Sequence, residues 1–176
     1  MSPIFEPGIR IANLQDVAPI RQVLNSAYRG EASKQGWTTE AHLIAGETRA
    51  NESMLTEILL MPGSVMIVLE NEQAEIVGTM NLQHHGDKLY LGMLSISPGL
   101  QGKGSGKKLL KAAEEYARYQ QMKSIYMTVI TERTELIDWY KRHGYVDTGE
   151  RKPFQEDPLT GKHMRKLEFM VLEKIL

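Results

Sequence analysis

Residues 91–111 read LGMLSISPGLQGKGSGKKLLK, an apolar strand that runs through Gln101-Gly102-Lys103-Gly104-Ser105-Gly106 into a helix. A glycine-dense turn from strand to helix lets several backbone N–H groups converge on one anion beside the positive end of the helix dipole. Lys107, Lys108 and Lys111 fall in the first turns of that helix, where cations oppose the dipole. The pattern predicts a phosphate cradle, with a negative group that compensates the lysines.

Spacing excludes two other phosphate loops. A Walker loop needs a glycine five positions before a Gly-Lys-Ser/Thr triplet, but Gly106-Lys107 is followed by Lys108 and Gln101 stands in the glycine's place. The dinucleotide fingerprint needs glycine at relative positions one, three and six, and Lys107 occupies the sixth after Gly102 and Gly104.

Gln101-x-x-Gly104-x-Gly106, preceded by Leu94-Ser95-Ile96-Ser97-Pro98 and followed by Leu109-Leu110, resembles the acetyl-coenzyme A motif of the GNAT superfamily of N-acetyltransferases. Ile137-Asp138-Trp139-Tyr140-Lys141-Arg142-His143-Gly144-Tyr145 is similar to the family's late helix, in which an aromatic-Tyr pair precedes a Gly-aromatic helix end. The resemblance covers most of residues 9–151. It implies direct transfer of acetyl from acetyl-coenzyme A to an amine. The strand backbone around Leu94 and Ile96 would hold the pantetheine arm and polarise the thioester. Backbone N–H groups of Gly102, Lys103, Gly104, Ser105, Gly106 and Lys107 would hold the pyrophosphate. Tyr140 takes the position of the general acid for the departing thiolate; as a plain packing residue it would instead pair with Leu136 one turn earlier. Gln101 replaces a more frequent arginine but keeps a side-chain amide. Arg133 stands where asparagine commonly reaches the cofactor, and it could meet a phosphate or an acidic substrate.

The rest of the chain reads as alternating strands and helices without a repeat or linker, so we expect one domain over 1–176, of α/β class, with a mixed, mostly antiparallel twisted sheet of about six to seven strands flanked by helices. Strands are expected at 8–12, 65–69, 76–82, 89–96, 124–130, 145–149 and 167–173. Helices are expected at about 16–28, 38–60, 104–121 and 134–143. On the third of these Leu109, Leu110, Ala113, Tyr116 and Ala117 share one face and belong to the core.

With 176 residues and 41% apolar content, the chain can bury a full core. A net charge of -1 argues against nucleic acid as the main partner. The absence of cysteine removes disulfides and thiolate chemistry. No segment has the length of a membrane span, and MSPIFEPGIR lacks the features of a leader, so a cytoplasmic location, no membrane partner, and a monomer or homodimer are expected. The five histidines have no paired metal spacing, so no metal is expected.

The acceptor pocket is expected in residues 29–50 and the loop 152–166, with Arg29, Glu31 and Trp37 its first candidates. Arg29, Lys34 and Arg133 would suit an amine that also carries a carboxylate. His84, His85, Glu132, Glu135 or a water chain are candidate bases, and of the two adjacent histidines only one can face inward on a strand. The expected function is acetylation of the primary amine of a small molecule. The alternatives are a catalytically silent acyl-coenzyme A sensor, and an acyltransferase with a longer acyl group, a non-amine acceptor, or a protein or peptide acceptor.

Overall fold

In the computed structural model, which describes residues 2–176, seven strands form one sheet in the order β1-β2-β3-β4-β5-β7-β6. The strands are β1 Ile9–Ile11, β2 Ser64–Glu70, β3 Ile76–His85, β4 Lys88–Ile96, β5 Ser124–Ile130, β6 Val146–Phe154 and β7 Leu167–Ile175. The helices are α1 Val17–Tyr28, α2 Gly30–Ser33, α3 Glu52–Leu60, α4 Ser105–Tyr119 and α5 Thr134–Arg142. Every neighbouring strand pair is antiparallel except β4 and β5. The α/β class and mixed sheet are those implied by the sequence.

Strand alternation divides the core. Met66 and Val68 of β2 pack with α1 and α3 on one face, while Ile67 and Leu69 join α4 and α5 on the other. The stripe Leu109, Leu110, Ala113, Tyr116 and Ala117 is buried as its periodicity requires. Helix α4 begins at Gly104, whose φ of 84° lies in the left-handed region that glycine enters without strain.

The site is opened by the middle of the sheet. β4 pairs with β5 only from Lys88–Tyr90 against Ser124–Tyr126, although both strands continue beyond that point. Past Tyr90, β4 carries an irregularity opposite Thr79–Asn81, where Met93 adopts a φ of 58°. A bulge bends its strand, and the two parallel strands part as a V.

A single helix over 38–60 is not formed. Asn51 caps the shorter α3, its side chain accepting from the Met54 N–H at 2.8 Å. The preceding residues take their path from distant partners, which outweigh local helix preference. The Ala45 N–H donates to the Lys162 carbonyl, the Met164 N–H donates to the Leu43 carbonyl, each at 2.8 Å, and Ile44 bridges His163. The late loop expected at 152–166 is accordingly shorter, because β6 runs on to Phe154.

Glu40 anchors this irregular segment. Its carboxylate accepts from Arg29 and, at 3.0 Å, from Arg133 Nη1, and Arg133 Nη2 also donates to the Thr38 carbonyl. Side-chain exposures of 1% for Arg29, 7% for Arg133 and 9% for Glu40 make this a buried ionic triad. Removing one member strands the other charges in a poorly solvated place. Glu40→Ala should therefore lower unfolding free energy by about 3–5 kcal/mol, measured by urea denaturation; a loss below about 1 kcal/mol, the value of an exposed pair, would show that water reaches the two arginines.

Candidate functional site

A cleft of about 530 Å³ runs along the start of α4 and the side of α5, lined among others by Leu94, Ile96, Gly102, Gly104, Gly106, Lys107, Trp139 and Tyr140. A smaller cavity of about 110 Å³ borders both arms of the V, lined by Glu40, Arg49, Tyr90, Arg133, Phe154 and Phe169 among others. The two share Tyr28, Leu94, Leu136 and Tyr140. They are two approaches to one point, at the mouth of the parted strands.

The backbone of β4 is oriented for this position. The Ser97 N–H donates to the Val77 carbonyl of the β3 side at 2.9 Å, so by alternation the polar groups of Leu94 and Ile96 turn from β3 into the cleft. Their carbonyls are partly engaged: the Tyr28 hydroxyl donates to Leu94 O, and Gln101 Nε2 donates to Ile96 O at 2.9 Å. At the turn, no side chain caps α4, so its first N–H groups are left for another acceptor. Gly106 packs beneath Trp139, where a Cβ would lie 3.1 Å from the indole ring.

Tyr140 is 5% exposed, enclosed by edge-on contacts with Trp139 and Tyr145. Burial pushes its phenol well above the ordinary value, opposed in part by Arg133, so the hydroxyl keeps its proton at neutral pH. Burial likewise raises Tyr28.

Several candidates lie elsewhere than the sequence suggested. Of the cradle lysines, Lys107 lines the cleft, whereas Lys111 bonds Glu6 at 2.7 Å and holds that carboxyl below its usual range. Part of the negative counterpart thus comes from the chain itself. Lys103 and Ser105 belong to the turn but line neither cavity. Gln101 lines the cleft with its amide bound internally, accepting from the Trp37 and Thr38 N–H groups at 2.8 and 3.2 Å and donating to Thr38 Oγ1 at 2.7 Å.

Arg29 and Glu31 line neither cavity, because Arg29 is drawn into the Glu40 triad and Glu31 pairs with Lys34 at the surface. Trp37 lines the α4 cleft opposite Trp139, with ring centroids 6.2 Å apart. Arg133 stands on the side of the smaller cavity, away from the turn, held by Glu40 and stacked over the Tyr28 ring. His84 packs edge-on to Tyr116, His85 bonds Tyr126 at the surface, and neither lines either of the two cavities. Sequence reasoning placed Tyr28, Arg49 and Phe154 in or beside the segments expected to hold the acceptor without assigning any of them a role, and it did not single out Tyr90 or Phe169. Tyr28 is the last buried residue of α1.

The family model described as an acetyltransferase (GNAT) domain matches residues 31–168. The chain belongs to this GNAT acetyltransferase family. No curated protein sequence matches it. Solved structures share the fold at low identity. A ribosomal-protein-alanine N-acetyltransferase from Brucella melitensis is 20% identical, with a TM-score of 0.70 over 96% of this chain and 99% of that one. The ribosomal-protein-S18-alanine N-acetyltransferase from Escherichia coli is 11% identical, with a TM-score of 0.70 over 95% and 92%. A mutant form of the spermidine N-acetyltransferase from Vibrio cholerae is 16% identical, with a TM-score of 0.68 over 95% and 94%. The protein is thus a GNAT acyltransferase, from a family that generally uses acetyl-coenzyme A. Among the described residues no helix is long and apolar enough to cross a membrane.

The geometry at Gly104 yields a test. A Cβ there meets no atom within 4 Å, so the cost of a side chain is backbone strain at a φ of 84° and obstruction of the cleft, without a clash inside the protein. Gly104→Val should stay folded while weakening acetyl-coenzyme A binding at least tenfold, about 1.4 kcal/mol, by calorimetry. Unchanged affinity in a folded variant would remove the turn from the donor site.

Proposed function

We propose that this GNAT protein transfers acetyl from acetyl-coenzyme A to the primary amine of a small molecule, directly and without a covalent enzyme intermediate. The observation that carries this reading is the meeting of the two cavities on Tyr28, Leu94, Leu136 and Tyr140. A donor laid along α4 and an amine entering from the other side would face each other across the mouth of the V. Direct transfer needs that proximity.

The residues divide the work as follows. The uncapped N–H groups at the start of α4, with Lys107, would hold the pyrophosphate of acetyl-coenzyme A, the thioester that supplies the acetyl group. The inward polar groups of Leu94 and Ile96 would align the pantetheine arm, with an N–H aimed at the carbonyl oxygen where negative charge develops. Tyr28, by holding the Leu94 carbonyl, would fix that strand against the bulge at Met93. Tyr140, kept neutral by burial, would give its proton to the thiolate as the amide bond forms. No histidine lines the acceptor side among the described residues, and its carboxylate, Glu40, is committed to two arginines. Of the other candidate bases, Glu132 pairs with Arg165 at the surface and Glu135 lines the α4 cleft but not this cavity, so the amine would lose its proton to water.

The structural neighbours named for spermidine and for ribosomal-protein alanine divide between small and macromolecular acceptors. The modest cavity on the acceptor side, about 110 Å³, favours a small one. Released thiol, followed across a panel of amino acids, polyamines, aminoglycosides and N-terminal peptides, tests the acceptor. Turnover confined to peptides would overturn the small-molecule reading, and binding of acetyl-coenzyme A without any turnover would point to a sensor.

The role of Tyr140 has its own measurement. Tyr140→Phe keeps the ring packed and removes the hydroxyl alone, so turnover should fall roughly 10²-fold with acetyl-coenzyme A affinity nearly unchanged. Wild-type turnover in that variant would mean that the thiolate leaves through water.

A further inference from the structure

The acceptor-side cavity contains an electrostatic imbalance. Glu40 already holds two guanidinium groups, Arg29 and Arg133. Of these two only Arg133 lines the cavity, and Arg49 adds a second arginine to its lining, beside the one carboxylate, Glu40. Among the described residues the Arg49 guanidinium has neither an ion pair nor a hydrogen bond; only its backbone N–H is engaged, donating to Asn25 Oδ1 at 2.6 Å. The acid nearest in sequence, Glu47, lies against Gly30 instead. Arg49 is half-buried, and its charge is close enough to act on both the Arg29 guanidinium and the Tyr28 hydroxyl.

A half-buried arginine that lines a cavity without a partner suits a planar oxyanion, which its fork of donors binds in bidentate fashion. The same cavity has an aromatic lining: Phe154 and Phe169 stack with centroids 4.3 Å apart, and both line it with Tyr90. The cavity thus combines two arginines with aromatic rings, and Tyr140 is shared with the donor cleft. A polyamine would bring more positive charge to the arginines and would be disfavoured.

We infer that Arg49 is a specificity residue that binds the carboxylate of the acceptor, so that the preferred acceptors are free amino acids, or similar small amines carrying a carboxylate a few bonds from the nitrogen. This rests on the acetyltransferase reading above and gives its acceptor a chemical class. The carboxylate satisfies Arg49, the side chain lies on Phe154 and Phe169, and the amine points toward the mouth shared with the donor.

The test compares free amino acids with their own primary amides, for example leucine, methionine and phenylalanine, by thiol release with saturating acetyl-coenzyme A. Each amide keeps the amine and side chain and loses only the negative charge. Its amine is also less basic and more often neutral, which biases the comparison against the proposal. The free acids should have at least tenfold higher kcat/KM. Arg49→Ala should erase that preference by raising KM for the acids with little effect on the amides, and Arg49→Lys should restore part of it. Melting temperature and acetyl-coenzyme A affinity should stay at wild-type values in both variants.

Amides used as well as acids by the wild type, or a preference that survives Arg49→Ala, would overturn this inference and leave the small-amine function standing. Turnover of neither set, with another small amine acetylated, would overturn this inference alone; no turnover of any small amine would overturn both, while calorimetry with acetyl-coenzyme A would separately report whether the donor site is sound.

Discussion

The parting of β4 from β5 after Tyr90 and Tyr126 is the constraint on which the rest depends. In a fully paired sheet the polar groups of Leu94 and Ile96 would be spent on a neighbouring strand and no passage would cross the sheet. The bulge at Met93 bends β4 away from that pairing, and the liberated backbone would cost free energy if it were buried without partners. Two side chains answer the liberated carbonyls, Tyr28 from the end of α1 and Gln101 from the turn before α4. What remains free faces the cleft.

The parts of this architecture that were legible in the sequence are those determined by neighbours in the chain. The strand, turn and helix of 91–111 follow from glycine positions and a helical stripe, and the burial of Tyr140 on α5 agrees with the resemblance of 137–145 to the family's late helix. The segment 38–51 was not legible, because its path is set by Glu40 meeting Arg133, 93 positions away, and by backbone bonds to Lys162 and Met164. A sequence with helix-compatible residues and no visible partner reads as a helix.

The same limit governs the charged candidates. Three lysines at a helix start look alike in sequence, but Glu6 takes up Lys111. Of Arg29, Lys34, Arg49 and Arg133, only tertiary structure reveals that Arg29, Lys34 and Arg133 have acidic partners. The sense that the acceptor region is cationic was available from sequence; that Arg49, of these, has no such partner among the described residues was not.

The clamp made by Gln101 reaches beyond geometry. Its Oε1 receives the amide protons of Trp37 and Thr38 while Nε2 reaches back to β4, so one side chain stitches the glycine turn to a segment more than sixty positions earlier. Those two amide protons can exchange with solvent only when the stitch opens. Their exchange rates therefore form a built-in clock for breathing of the cleft, readable at two backbone positions without any substrate present.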